Sequence, residues 1–217
     1  FSNVAFGHNT LDASTTGDDN TALGKSALSG NTTGNDNTAV GSSALFSNTT
    51  ASFNTAAGKD ALRLNTIGFA NTAVGHSALT ANTNADYNTA VGANTLSATT
   101  TGIQNTGVGA NALRTNTTGQ DNTALGFNAL YTNNGIYNTA IGGQALQETT
   151  SGQQNVAVGR AALLLNTTGN YNTGSGYSAL GNVTTGQQNT GIGRLAGSGL
   201  TTGGNNTFLG YYARPST

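Results

Sequence analysis

A single motif of about 17 residues recurs along the whole chain and limits the folds open to it. Taking the recurring Asn as coil position 0, it falls at Asn3, Asn20, Asn37, Asn54, Asn71, Asn88, Asn105, Asn122, Asn138, Asn155, Asn172, Asn189 and Asn206, and every interval is 17 except the 16 between Asn122 and Asn138. Position 4 is Gly in all thirteen registers, and position 8 is Leu in the first eleven, from Leu11 to Leu180. Position 1 is Thr or Val, position 3 is mostly Val, Leu or Ile, and position 7 is Ala in all but two registers. Residues 1–217 therefore read as a single repeat domain, with neither linker nor second domain.

A helical repeat fits this pattern poorly. Gly at position 4 costs a helix about 1 kcal/mol in each register, and β-branched Thr adds to that. Pieces such as TAV and SAL, bounded by Gly and Asn, instead read as strands of three or four residues. A 17-residue unit with two or three such strands and tight turns is one coil of a parallel β-solenoid, an all-β fold of about 13 coils. At the strand spacing of a sheet, the stack is expected to run roughly 60 Å.

In a solenoid each residue lies over its counterpart one coil earlier, so a position with a special role is filled alike throughout. Gly at position 4 is expected where φ is positive or where a neighbour leaves no room for a Cβ. Asn at position 0 is expected to form an amide ladder and cap its turn, Thr at positions 1 and 12 to form hydroxyl ladders, and Leu and Val to fill the interior. The one-residue deletion lies in Tyr131–Tyr137 (YTNNGIY) and leaves Asn, Gly, Ala and Leu in phase, which marks the polar stretch, commonly NTTG, as an outward turn. Each coil offers a core only one Leu, one Val-like residue and two Ala. A homo-oligomer is therefore expected, with the Val/Ala and Ala/Leu sets dividing between an interior and a subunit seam. From about residue 189 the registers drift: Gly197 and Arg214 replace Leu, Phe208 replaces Ala and Pro215 follows, as in a transition or cap. The first residues begin within a register, as in a segment cut from a longer fibre.

Asn37-Thr38-Ala39-Val40-Gly41 and Asn138-Thr139-Ala140-Ile141-Gly142 resemble the head repeats of YadA-like trimeric autotransporter adhesins, and related repeats occur in phage and viral tail fibres. The likeness runs from Asn3 to about Gly210. It implies a left-handed parallel β-roll, three chains side by side, and adhesion at a surface.

Composition narrows the functional classes. The net charge is −1 and the few Lys and Arg are scattered, so no basic face suits a nucleic acid or an anionic membrane. No apolar run is long enough to insert into a membrane. Cys, Met and Trp are absent, which excludes disulfides and thiol chemistry and suits exposure outside the cell. No metal or cofactor is expected. His8 and His76 share position 5 but lie four coils apart; Asp19 and Asp36 share a column without a basic partner, as ordinary turn residues. The glycines of Thr190–Gly197 (TGIGRLAG) lack the Lys and the following helix of a phosphate loop.

The variable positions 5 and 9 mark the outward face. Position 5 carries Lys25, Lys59, His76, Phe127, Arg160, Tyr177, Arg194 and Tyr211, and position 9 carries Phe46, Arg63, Arg114 and Tyr131. Phe127, Tyr131, Tyr177 and Tyr211 are the candidate ligand-binding residues. The first two are expected to form an aromatic spot across one short strand, suited to a sugar ring; Tyr137 and Tyr171 precede their Asn two coils apart. Six Asn-x-Thr sequons, at Asn31, Asn48, Asn116, Asn166, Asn182 and Asn205, are glycosylation candidates, with position 11 expected to face outward. The leading expectation is a structural and adhesive segment of an extracellular, cell-surface or virion fibre. It would associate with itself as a trimer or longer filament, meet a surface glycan or protein receptor, and have no enzymatic activity. The alternative is an ice-binding solenoid with Thr ladders. A tailspike-like glycosidase is disfavoured, because no acid/base pair stands at a suitable spacing.

Overall fold

The computed structural model describes residues 2–214, and Pro215 lies outside them. The protein is an all-β parallel β-solenoid with one short strand per coil and, among the described residues, no helix. It divides into two compact units, Phe1–Val108 and Gly109–Thr217, although the repeat keeps its period of 17 through the boundary. In the first unit β1 (Val4–Phe6), β2 (Thr21–Leu23), β3 (Thr38–Val40), β4 (Thr55–Ala57), β5 (Thr72–Val74), β6 (Thr89–Val91) and β7 (Thr106–Val108) pair in chain order, all parallel. In the second, β8 (Thr123–Leu125), β9 (Thr139–Ile141), β10 (Val156–Val158), β11 (Thr173–Ser175), β12 (Thr190–Ile192) and β13 (Thr207–Leu209) do the same. Thr21 faces Thr38, and Thr123 faces Thr139, so the 16-residue coil absorbs its deletion outside the strand.

The strands are fewer than expected. Only the TAV-type segment is extended; the SAL-type segment is a turn. Leu at position 8 has a left-handed backbone in every coil where it is described, with φ of 49° to 52° from Leu11 to Leu180. Position 6 (Ser26, Ser43, Asp60, Ser77) and position 16 (Asp19, Asp36, Phe53, Tyr87) are left-handed as well. None of the left-handed residues is β-branched, because Val, Ile and Thr tolerate this region worst. The same backbone explains why the apolar residue at position 8 is Leu and never Ile or Val.

Both reasons anticipated for the position-4 Gly hold. At Gly41 φ is 135°, and an added Cβ would stand 2.5 Å from the Gly58 carbonyl oxygen.

The core is narrower than expected. Ala at positions 2 and 7 and Leu at position 8 are fully buried, as in Ala39, Ala44 and Leu45. Position 3 is not interior: Leu23, Val40, Val74, Leu125 and Ile141 are exposed. Side chains alternate along a strand, so burying Ala at position 2 turns positions 1 and 3 outward together.

Two buried asparagine columns brace this interior. The Asn37 N–H donates to Asn20 Oδ1 at 3.0 Å, and Asn54 and Asn71 repeat the bond to the Asn one coil earlier. Each of these amides also donates to the position-14 carbonyl of its own coil, Asn37 to Ala51 at 2.8 Å and Asn54 to Gly68 at 2.9 Å. Position 11 approaches the same carbonyls from the other side, with Asn48 donating to Ala51 O at 2.9 Å and to Asn31 Oδ1 at 2.9 Å. The position-12 threonines also form a ladder, but through carbonyls: Thr32 Oγ1 donates to Thr49 O at 2.9 Å and Thr49 Oγ1 to Thr66 O at 3.0 Å. The position-1 threonines lie on the outer strand face instead.

The last coils modify the core. Phe208 is buried where other coils have Ala or Gly, and Gly197 makes room for it: a Cβ there would come within 2.8 Å of the Phe208 ring and 2.5 Å of Leu180.

Candidate contact surface

Positions 5 and 9 flank the position 6–8 turn, and their side chains stand outward. Phe127 is exposed and Tyr131 half-buried. Both belong to the turn after β8, not to a strand, and Tyr131 partners Arg114 of the preceding coil: the guanidinium lies 5.7 Å from the ring centroid and Nη1 donates to the Tyr131 hydroxyl at 2.8 Å. Tyr177 and Tyr211 are exposed and alternate with arginines of the same column. The Arg160 guanidinium lies 5.9 Å from the Tyr177 ring, and that of Arg194 lies 5.6 Å from Tyr177 and 5.4 Å from Tyr211. Sequence reasoning named the tyrosines and missed the pairing. The signal was there, in Arg and Tyr alternating at one position with a period of 17.

Tyr137 and Tyr171, each the residue before the next coil's Asn, are exposed, both with φ of 59°. In the first unit Phe69 and Tyr87 meet edge to face, with centroids 4.9 Å apart. Phe46 lies under Arg63 at 6.0 Å, and Arg63 also pairs with Asp60 at 3.6 Å.

The sequon candidates divide. Asn31, Asn48, Asn116 and Asn166 are fully buried in the position-11 column, their amides spent on position-14 carbonyls, which corrects the expectation that this position faces outward. A glycan on any of them has no exit from the folded coil. Asn182 and Asn205 are exposed. Where the column is interrupted it leaves orphans: Asn82 Oδ1 and Asn166 Oδ1 are buried without a hydrogen-bond partner, and the next coils carry Thr99 and Val183 at that position.

The titratable groups are dispersed. His8 and His76 are both exposed, and among the described residues no group of three His, Asp or Glu side chains is placed to hold a metal ion. Asp19 and Asp36 are exposed turn residues. Asp18 takes backbone N–H bonds from Ser2 and Asp19, which hold its carboxyl below the usual aspartate range. No helix among the described residues is long and apolar enough to cross a membrane.

The outer strand face is the most regular surface. In each unit it presents a column of Thr and a column of Val, Leu or Ile two residues on, half-buried to exposed, as in Thr38 with Val40 and Thr72 with Val74. Rungs repeat at about 4.8 Å and the two columns stand roughly 6.6 Å apart.

Fold and surface together define a β-solenoid repeat protein whose interior is uniform and whose outward positions vary. No protein-family model matches the chain, and no curated protein or solved structure matches it.

Proposed function

We propose that the chain is a structural and adhesive segment of an extracellular or virion-surface fibre, without catalytic activity. The observation that carries this reading is the contrast between positions. Asn, Gly, Ala and Leu are spent on the interior columns, whereas positions 5 and 9 change from coil to coil on an otherwise constant frame. Such a frame displays contact residues at fixed intervals, and a surface glycan or protein receptor is the partner it suits. The absence of Cys, Met and Trp removes easily oxidised side chains, in keeping with a place outside the cell.

The same reading includes self-association. Val40, Val74 and Val91 of the first unit stand exposed in one column with the period of the coil, as Ile141 and Val158 do in the second, so a second copy meets each column in register, rung against rung. The resemblance to trimeric adhesin heads makes three chains the expected number, and end-to-end joining extends them into a filament. Light scattering on the purified protein, followed by a glycan array, tests the proposal. A trimer that retains glycans supports it; a monomer that retains none contradicts it.

The outer Thr column favours a second reading, as an ice-binding surface. Thr at position 1 and the aliphatic residue at position 3 face the same way on a regular sheet, the kind of hydroxyl-and-methyl array that orders water. Thermal hysteresis that vanishes in Thr72→Lys distinguishes it; a protein with no hysteresis leaves only the fibre reading.

A further inference from the structure

In the second unit, position 5 of four successive coils reads Arg160, Tyr177, Arg194, Tyr211. The two guanidiniums lie 5.9 Å and 5.6 Å from the Tyr177 ring centroid, and Arg194 Nη1 also donates to the Tyr211 hydroxyl at 3.2 Å. Among the described residues neither arginine has a carboxylate partner, whereas Arg63 and Lys59 of the first unit share Asp60. Arg160 Nη1 likewise donates to the Tyr177 hydroxyl at 3.4 Å and its Nη2 to Gln144 Oε1 at 3.3 Å; a guanidinium carries five N–H donors, so each arginine keeps others for an anion. The tyrosines thus act as spacers that hold two uncompensated cations about two rungs apart, roughly 9.6 Å at the strand spacing.

Beside this column runs a cleft of about 160 Å³. Its wall is formed by residues 161, 178 and 195, each directly following a member of the Arg/Tyr column. It opens because Gly181 stands at position 9, where neighbouring coils carry Leu164 and Ser198. Leu164 and Leu195 give the cleft an apolar side, and Asn182 and Ser198 a polar one. Ser198 Oγ is buried without a hydrogen-bond partner, while the Ser198 carbonyl accepts from Asn182 Nδ2 at 2.6 Å.

We propose that this cleft and the Arg160–Arg194 pair bind an acidic glycan whose chain runs along the stack of coils. The chemistry matches on both sides. A pyranose ring has an apolar C–H face for Leu164 and Leu195 and hydroxyls for Asn182 and Ser198. Carboxylate or sulfate groups on alternate sugars recur at about the interval of the two guanidiniums, which are already ordered, so less entropy is lost on binding. This rests on the adhesive reading above and names the partner class for one part of that surface.

The test is calorimetric titration of the whole chain with an oligogalacturonate, a heparin-derived hexasaccharide and neutral maltohexaose. Binding of either acidic oligosaccharide that weakens with added salt, and falls tenfold or more in Arg160→Gln/Arg194→Gln, is expected; which one binds identifies the anion. Tyr177→Ala is expected to lose about threefold by freeing both guanidiniums, and Lys25→Gln/Lys59→Gln to bind as the parent does. Both sets of substitutions are at exposed side chains, and an unchanged thermal melt verifies the fold. Equal affinity for maltohexaose, or acidic binding indifferent to the arginine double variant, overturns the inference and leaves the adhesive reading standing. A glycan array on which other glycans bind but neither acidic oligosaccharide does has the same meaning, whereas an empty array contradicts the adhesive reading itself.

Discussion

At the scale of the residue, the most demanding feature is a left-handed backbone at non-glycine positions. Leu28, Leu45, Leu62 and Leu79 each have φ near 50° while their side chains are fully buried. A left-handed conformation costs an L-residue on the order of 1–2 kcal/mol, and burial of the Leu side chain offsets it. Leu79→Ile is therefore expected to be far worse than its volume suggests. Ordinary Leu-to-Ile exchange in a core costs under about 1.5 kcal/mol; here a loss of about 3 kcal/mol is predicted, read from the urea midpoint, because the branched Cβ collides with this backbone. Ser77→Gly, at φ 55°, is expected to be neutral or stabilising. Asp18 gives a pH signature. Its pKa is lowered in the folded state by the N–H groups of Ser2 and Asp19, so its contribution is present above the ordinary aspartate value of about 3.9 and is lost as pH falls below it. The carboxyl resonance of Asp18 should titrate below that value, and Asp18→Asn should remove the acid-side change.

At the scale of the element, each coil is held by columns more than by its three-residue strand. Asn71 shows how much rests on one amide: its Oδ1 accepts the Asn88 N–H at 2.9 Å and its Nδ2 donates to Ala85 O at 2.8 Å. Asn71→Ala leaves the buried Asn88 N–H without its acceptor and Ala85 O with only the Asn82 amide at 3.0 Å, and a loss of about 1–3 kcal/mol is predicted from urea unfolding. The converse holds where the position-11 column is broken. Thr99→Asn offers Asn82 Oδ1 the donor it lacks and is expected to gain about 1 kcal/mol. This scale also shows where sequence reading succeeded and where it failed. The period, the Asn ladder and the position-4 Gly were legible because backbone geometry allows one residue type at those places. The SAL segment was taken for a strand because an apolar pair between polar residues looks the same in either conformation, and the telling sign, Leu but never Ile, is a choice among similar residues. Position 3 was taken as interior on hydrophobicity alone, although Ala at position 2 with period-two alternation implied the opposite. Position 11 was taken as outward because NTT matches a sequon. Its burial depends on the turn that the Leu conformation creates.

At the scale of the molecule, both units repeat the same construction, with parallel pairing in chain order and the interior columns in register. The contact surface was less legible than the fold. Exposed aromatic residues could be named from the sequence, but their pairing with arginines one coil away requires knowing which residues stack. The chain has no Cys, so engineered disulfides report stacking without interference. Thr38 and Thr55 are register partners in adjacent strands, within the Cα separation of about 4.4–6.8 Å that a disulfide needs, whereas Thr38 and Thr72 are two rungs apart and beyond it. Oxidation of Thr38→Cys/Thr55→Cys and of Thr173→Cys/Thr190→Cys should close an intramolecular bond in each unit, seen as a mobility shift on a non-reducing denaturing gel, and Thr38→Cys/Thr72→Cys should close none. Closure of the Thr38/Thr72 pair, or failure of both adjacent pairs, would contradict an arrangement in which each coil lies one rung above the last.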